Sequence, residues 1–260
     1  MAPLERDFTP GRWQSLPRFA RLPRANVNFL FHHHLAMRDL GTPEAAIGAM
    51  LPDLWRMADR RVRPAVSAIA AGEAGPELAQ VLAGIAHHVA ADRWFHRDPV
   101  FLDGEQRCSV RLRSVAADVP RIGLFAHVLW ELCLDGALLD RVGLFPVLHA
   151  LREGFGATLG AATDRAAEVH HFERVGRSLD DRASFAPRLG RLCAAIADGP
   201  WIDGYQSGEG LAYRIQGVRA HLGMEPCSVE AHALLADACA ELLEAAGPVA
   251  DRILAATIAA

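Results

Sequence analysis

The sequence predicts an all-α protein, a single multi-helix domain behind an irregular N-terminal arm, and three observations carry that prediction. Half of the residues are apolar but only 7% are aromatic, and alanine, leucine and arginine dominate, as helices favour on buried and exposed faces alike. Apolar residues recur at three- and four-residue steps, the helical period. Glycine and proline punctuate the chain between those stretches, while alternating β-branched runs that would mark strands are scarce.

Taken in order, residues 1–25 contain Pro3, Pro10, Pro17 and Pro23 with little periodicity, and read as the irregular arm; the helical domain then covers 26–260. Phe29, Leu30, Leu35 and Ala36 surround His32, His33 and His34 in a helix-compatible pattern. Gly41 stops that helix, Thr42 caps the next and Pro43 occupies its first position. Pro52 either kinks this second helix or ends it before Asp53. A helix follows over Arg60–Ala71. The stripe Leu78, Leu82, Ile85 and Val89 marks an amphipathic helix from Pro76 to Phe95. Another runs from Pro99 to about Ala117, and one opened by Pro120 passes through Phe125, Val128, Leu132 and Leu139. Alanine-rich helices then alternate with breaks at Gly143, Gly154 to Gly160, Gly199-Pro200 and Gly223 to Pro226. Ser228 to Ala259 reads as one or two closing helices, with Gly247-Pro248 a candidate interruption.

A formal charge of −4 with both signs mixed along the chain offers no basic footprint for nucleic acid. All 27 basic residues are arginine. Five dispersed cysteines with no C-x-x-C pair indicate neither a disulfide framework nor a thiolate zinc site. The N-terminus lacks the apolar core of a signal peptide, and no later stretch is apolar without interruption for a bilayer's width. The expectation is a soluble, cytoplasmic protein without membrane partners.

The chemistry concentrates between His32 and His127. His88, Asp92 and His96 stand four residues apart and share one helix face. His127, Glu131 and Asp135 repeat the spacing on another helix. Facing each other, two such faces would offer imidazole nitrogen and carboxylate oxygen to a hard or borderline divalent cation. The competing reading is a set of surface pairs, or buried histidines satisfied by carboxylates. Both polar triads are embedded among apolar neighbours, which favours burial.

At these residues the chain resembles the acyl carrier protein phosphodiesterases, all-helical relatives of the HD-type metal phosphohydrolases. Asn28-Phe29-Leu30-Phe31-His32-His33-His34-Leu35-Ala36 is similar to the opening N-F-L-A-H-L-x-L-A. Gly48-Ala49-Met50-Leu51-Pro52-Asp53-Leu54 resembles G-N-L-L-A-D-F, and Gly84 to His96 resembles G-I-x-x-H-R-x-I-D-x-x-T-D, with His96 replacing the final aspartate. Trp201-Ile202-Asp203-Gly204-Tyr205 is similar to W-L-x-x-Y. The family's D-x-x-x-D-H segment appears as His127-Val128-Leu129-Trp130-Glu131-Leu132, so its Asp-His pair is missing.

The resemblance implies an HD-like helical domain and a metal-dependent phosphodiester hydrolase that releases phosphopantetheine from holo-acyl carrier protein. His32, His88, Asp92, His127 and Glu131 would hold the metal, and Asp53 or His96 would assist as ligand or proton carrier. The shift from carboxylate toward imidazole favours Mn, Fe or Zn over Mg. An acidic carrier protein would need basic residues nearby, and Arg56, Arg60, Arg61 and Arg63 are nearest in sequence. Two alternatives accompany this reading: hydrolysis of another small phosphoester, and a non-catalytic helical binding protein that has lost the Asp-His pair.

The remaining candidates have plainer readings. Asp53 could equally cap a helix after Pro52. His33, His34 and His87 point about 100° away from better-placed neighbours and should pack or face solvent. His170-His171 reads as solvated surface. Trp55, Trp94 and Trp130 read as apolar wall. The glycine-rich segment Gly204 to Gly210 lacks a preceding strand and the P-loop lysine, and no serine or cysteine has an elbow motif.

Overall fold

At Gly41 the chain takes φ = 75°, where a side chain would be strained, and its N–H returns to the Met37 carbonyl to close α1 (Phe29–Leu40). Thr42 opens α2 (Pro43–Ala58), its hydroxyl accepting from the Ala45 N–H at 3.3 Å. The computed structural model describes residues 28–65, 75–115, 121–173 and 179–256. The predicted N-terminal arm lies outside them.

Pro52 sits within α2, which continues six residues further to Ala58. Asp53 is therefore a mid-helix residue and not a cap. The helix expected over Arg60–Ala71 does not begin where predicted. Asp59 leaves α2 in extended geometry, and residues 60–65 form a turn and irregular chain. Asp59 is the cause, because its carboxylate accepts from the Arg61 N–H at 3.0 Å and from the Arg61 guanidinium, a local bond that competes with helix. The rest of that predicted helix lies outside the described residues.

The chain continues through α3 (Pro76–Phe95), α4 (Pro99–Val115), α5 (Ile122–Val142), α6 (Leu144–Thr158) and α7 (Ala161–Ala167), which runs into a π turn over Glu168–Phe172. Then come α8 (Leu179–Ala197), α9 (Pro200–Asp203) with a 3-10 turn over Gly204–Gln206, α10 (Gly208–His221) and α11 (Val229–Ala255). No strand occurs among the described residues.

The break expected between Gly154 and Gly160 falls at its far end, at Leu159-Gly160, where Gly160 takes φ = 147°. Helix α6 passes through Gly154, where an added Cβ would lie 2.9 Å from Ile47 of α2. That glycine serves helix contact instead of chain reversal. Helix α11 likewise runs through Gly247-Pro248. His170 and His171 are not solvated surface: His171 is buried, and the Ala65 N–H donates to His170 Nδ1 at 3.2 Å. The π turn faces them inward, where His170 also lies beside Trp55.

Helix α5 is the central element, packing on α1, α4, α6, α10 and α11. It is long and apolar enough by composition to cross a bilayer, yet 78% of that stretch is buried among the other helices. Trp55, Trp130, Phe29, Phe31, Phe95 and Phe125 are among the largest fully buried side chains of the core.

Candidate metal centre

Three close helix contacts bring the polar side chains together. Where α3 crosses α2, a Cβ on Gly84 would lie 2.0 Å from the Ala45 carbonyl oxygen, and one on Gly48 would lie 2.2 Å from that of Val81. Only glycine allows the backbones this near. One turn beyond Gly84, His88 Nδ1 meets the Ala49 carbonyl at 2.8 Å. A carbonyl can only accept, so Nδ1 carries the proton and Nε2 is the nitrogen directed at Asp92, 3.4 Å away.

Helix α1 is fixed at its N-terminus by α5. Asn28 makes no side-chain cap, and the buried Asp135 takes that part, accepting from the N–H groups of Leu30 at 3.2 Å and Phe31 at 3.0 Å. Asp135 thus belongs to the helix start and not to the His127–Glu131 face on which its spacing places it. The next residue, His32, is fully buried, with its ring centroid 3.9 Å from that of His88 and its Nε2 3.2 Å from Asp92 Oδ1.

The third contact joins α4 to α5. A Cβ on Gly104 would lie 2.0 Å from the Trp130 indole, so α4 can close onto α5. The adjacent Glu105 then meets His127 Nδ1, while His127 Nε2 faces Glu131 at 3.1 Å. His96, at the C-terminal end of α3, stacks on the His127 ring with centroids 4.9 Å apart.

The structure therefore distributes the candidate residues over two adjacent clusters. His32, His88 and Asp92 offer ligand atoms within 4.8 Å of one another, and so do His96, His127 and Glu131. Asp92 spans them, with Oδ1 3.9 Å from His96 Nε2. Asp53 is buried, and the charges of His88, Asp92 and Glu131 all act on it; its Oδ2 has no hydrogen-bond partner. The inner members are shielded, whereas Asp92 and His96 retain 29% and 34% side-chain exposure and form the open rim.

Burial and pairing pull the protonation states apart. Burial, reinforced by the neighbouring His88, lowers His32 to about 4. Burial also opposes charge on His88, but its bond to Asp92 and the field of Asp53 outweigh that and raise it to about 9. His127 rises to about 10, burial being overcome by Glu131 and Glu105. Burial drives the Asp53 carboxyl well above its ordinary range. For Asp92, burial is outweighed by bonds from His32 and His88, which hold its carboxyl low. Opposed shifts among neighbouring groups are frequent at functional sites.

Comparison with protein-family models, curated proteins and solved structures matched none of them.

The other sequence candidates lie around the clusters. His87 is buried with Nε2 3.0 Å from Asp39, His33 is buried, and His34 is half-buried. Trp55 and Trp130 are core residues, and Trp94 is half-buried. Arg60, Arg61 and Arg63 are exposed, and Arg61 is engaged by Asp59. Glu105 was missed by sequence reasoning because it shares no helical spacing with His127; the one clue was the neighbouring Gly104, a glycine inside a helix.

Proposed function

We propose that His32, His88 and Asp92 hold a divalent cation and that the protein is a metal-dependent phosphodiester hydrolase. The observation that carries this reading is the convergence of two imidazoles and a carboxylate from α1 and α3 at a place buried on one side and open at Asp92 on the other. The donor set fits a borderline metal such as Mn, Fe or Zn, and an open position is what catalysis needs. The unpartnered Asp53 oxygen is a further sign of a site built for positive charge.

A bound ion would supply an acidified water and offset the charge of the phosphoryl oxygens. The chain's own groups do the rest. Ala49 fixes the His88 tautomer, and Asp135 fixes the start of α1 and hence His32. As water adds to phosphorus and the ester P–O bond breaks, Asp53, kept protonated by burial, would give its proton to the leaving alkoxide and regain one from the attacking water.

By resemblance the substrate is the phosphopantetheine ester of holo-acyl carrier protein, with Arg56, Arg60 and Arg63 available to its acidic surface. One observation favours a second reading, a non-catalytic binding protein: Leu132, standing where the family has histidine, is buried in the apolar core and can neither bind metal nor move a proton.

Metal analysis of the chain purified without chelator, combined with phosphopantetheine release from holo-carrier protein and turnover of a panel of small phosphodiesters, tests the proposal. The expected result is stoichiometric Mn, Fe or Zn and turnover, both lost in the His88→Ala, Asp92→Ala double variant. Absence of metal, with no turnover on adding Mn, Fe, Zn or Mg, would leave the binding-protein reading in its place. Turnover of small phosphodiesters without phosphopantetheine release would keep the hydrolase and replace the substrate.

A further inference from the structure

We propose that the protein holds a second divalent cation at His96, His127 and Glu131, with Asp92 shared between the two positions; this rests on the hydrolase reading above and extends it to a two-metal centre. Asp92 is the link. Its Oδ1 lies 3.2 Å from His32 Nε2 and 3.9 Å from His96 Nε2, while its Oδ2 faces His88 Nε2 at 3.4 Å. One carboxylate thus reaches nitrogen donors of both clusters, the arrangement by which two ions about 3.5–4 Å apart are held in phosphoester hydrolases.

The second cluster has the support that metal sites carry. Glu105 accepts from His127 Nδ1, orienting the ring so that Nε2 is presented on the same side as Glu131. A carboxylate behind a ligating histidine fixes its tautomer and raises its basicity. Glu131 is fully buried in the central helix, and His96 is held in place by the His127 ring and by an edge contact with Phe101. Of the two roles the resemblance offers His96, ligand and proton carrier, this is the first.

The donor set points the same way. Asp92, Glu105 and Glu131 place three carboxylates at the histidines of two adjoining clusters, and the unpartnered Oδ2 of buried Asp53 lies in the field of both Asp92 and Glu131.

The test is titration of the metal-stripped full-length chain with Mn2+, followed by bound-metal analysis and electron paramagnetic resonance. Two equivalents per chain with a spin-coupled signal are expected, falling to one uncoupled equivalent in His96→Asn, with His127→Asn as the second variant should the first fail to keep the wild-type melting temperature. Saturation at one equivalent in a wild-type protein that still hydrolyses phosphodiesters would overturn the second position and leave the hydrolase. Two uncoupled equivalents, or two retained in both variants, would overturn the shared centre as well. No binding and no turnover would remove both proposals together.

Discussion

Asp135 caps α1 from 104 residues away: its Oδ1 accepts from the Phe31 N–H at 3.0 Å, and its other oxygen accepts from Leu30. A carboxylate from the central helix thereby sets where the His32 helix begins. Both partners are buried, so neither N–H has water as an alternative.

Asp135→Ala should therefore destabilise the protein by about 3 kcal/mol, the cost of leaving buried donors unsatisfied. Asp135→Asn, which keeps one acceptor, should lose about half as much. Urea unfolding of the three proteins measures the difference, and equal stability of Ala and wild type would show that α1 starts without this cap.

Gly84→Ala tests the crossing of α2 and α3. The new Cβ would lie 2.0 Å from the Ala45 carbonyl oxygen, and backbone cannot yield as a flexible side chain can. A loss of about 3 kcal/mol is expected from overpacking. His88 should move off Ala49 with the helix, so metal affinity should fall along with stability. Retained affinity at reduced stability would separate the crossing from the site.

Glu105→Ala probes orientation without burial, since Glu105 is only half-buried. Removing the partner of His127 Nδ1 should weaken the second Mn2+ equivalent about 10- to 100-fold, the usual effect of such a change. The first equivalent and the melting temperature should hardly change, which calorimetric titration and thermal unfolding would check.

Acid should act through Asp59. Its carboxylate binds Arg61 at 2.7 Å and Arg188 at 3.1 Å, and the Arg61 bond in particular holds it well below the ordinary carboxylate range. The unfolded chain then takes up this proton first. The stabilisation is present above about pH 4 and declines as pH falls below that toward the folded value. Asp59→Asn should be less stable than wild type at pH 7, and the gap should narrow progressively below pH 4. A gap independent of pH would mean that the ion pairs contribute nothing.

Much of the secondary structure was legible because its causes are local. Thr42-Pro43, Gly41, Gly143 and Gly199 act within a few residues, through capping or positive φ. The errors arose where one residue had two uses. Gly154, at the start of an expected break that falls at Leu159-Gly160, and Gly247, in a candidate interruption, both lie within helices, because each lets a side chain of another helix approach closely, which the linear pattern does not reveal. Asp53 read as a helix cap or a site residue and Asp135 as part of the His127 face; the first lies in the field of both clusters and the second caps a distant helix.

The sequence by itself determined the helical class, most helix limits and the His-x-x-x-acid faces on α3 and α5, because period and capping depend on neighbours along the chain. The tertiary structure alone decided that those faces adjoin, that Asp92 links two clusters and that Glu105 stands behind His127. Those relations depend on how near two helix backbones can come, which Gly48, Gly84 and Gly104 control by the side chains they lack. Such distances are set between segments far apart in sequence, where no periodic signal reaches.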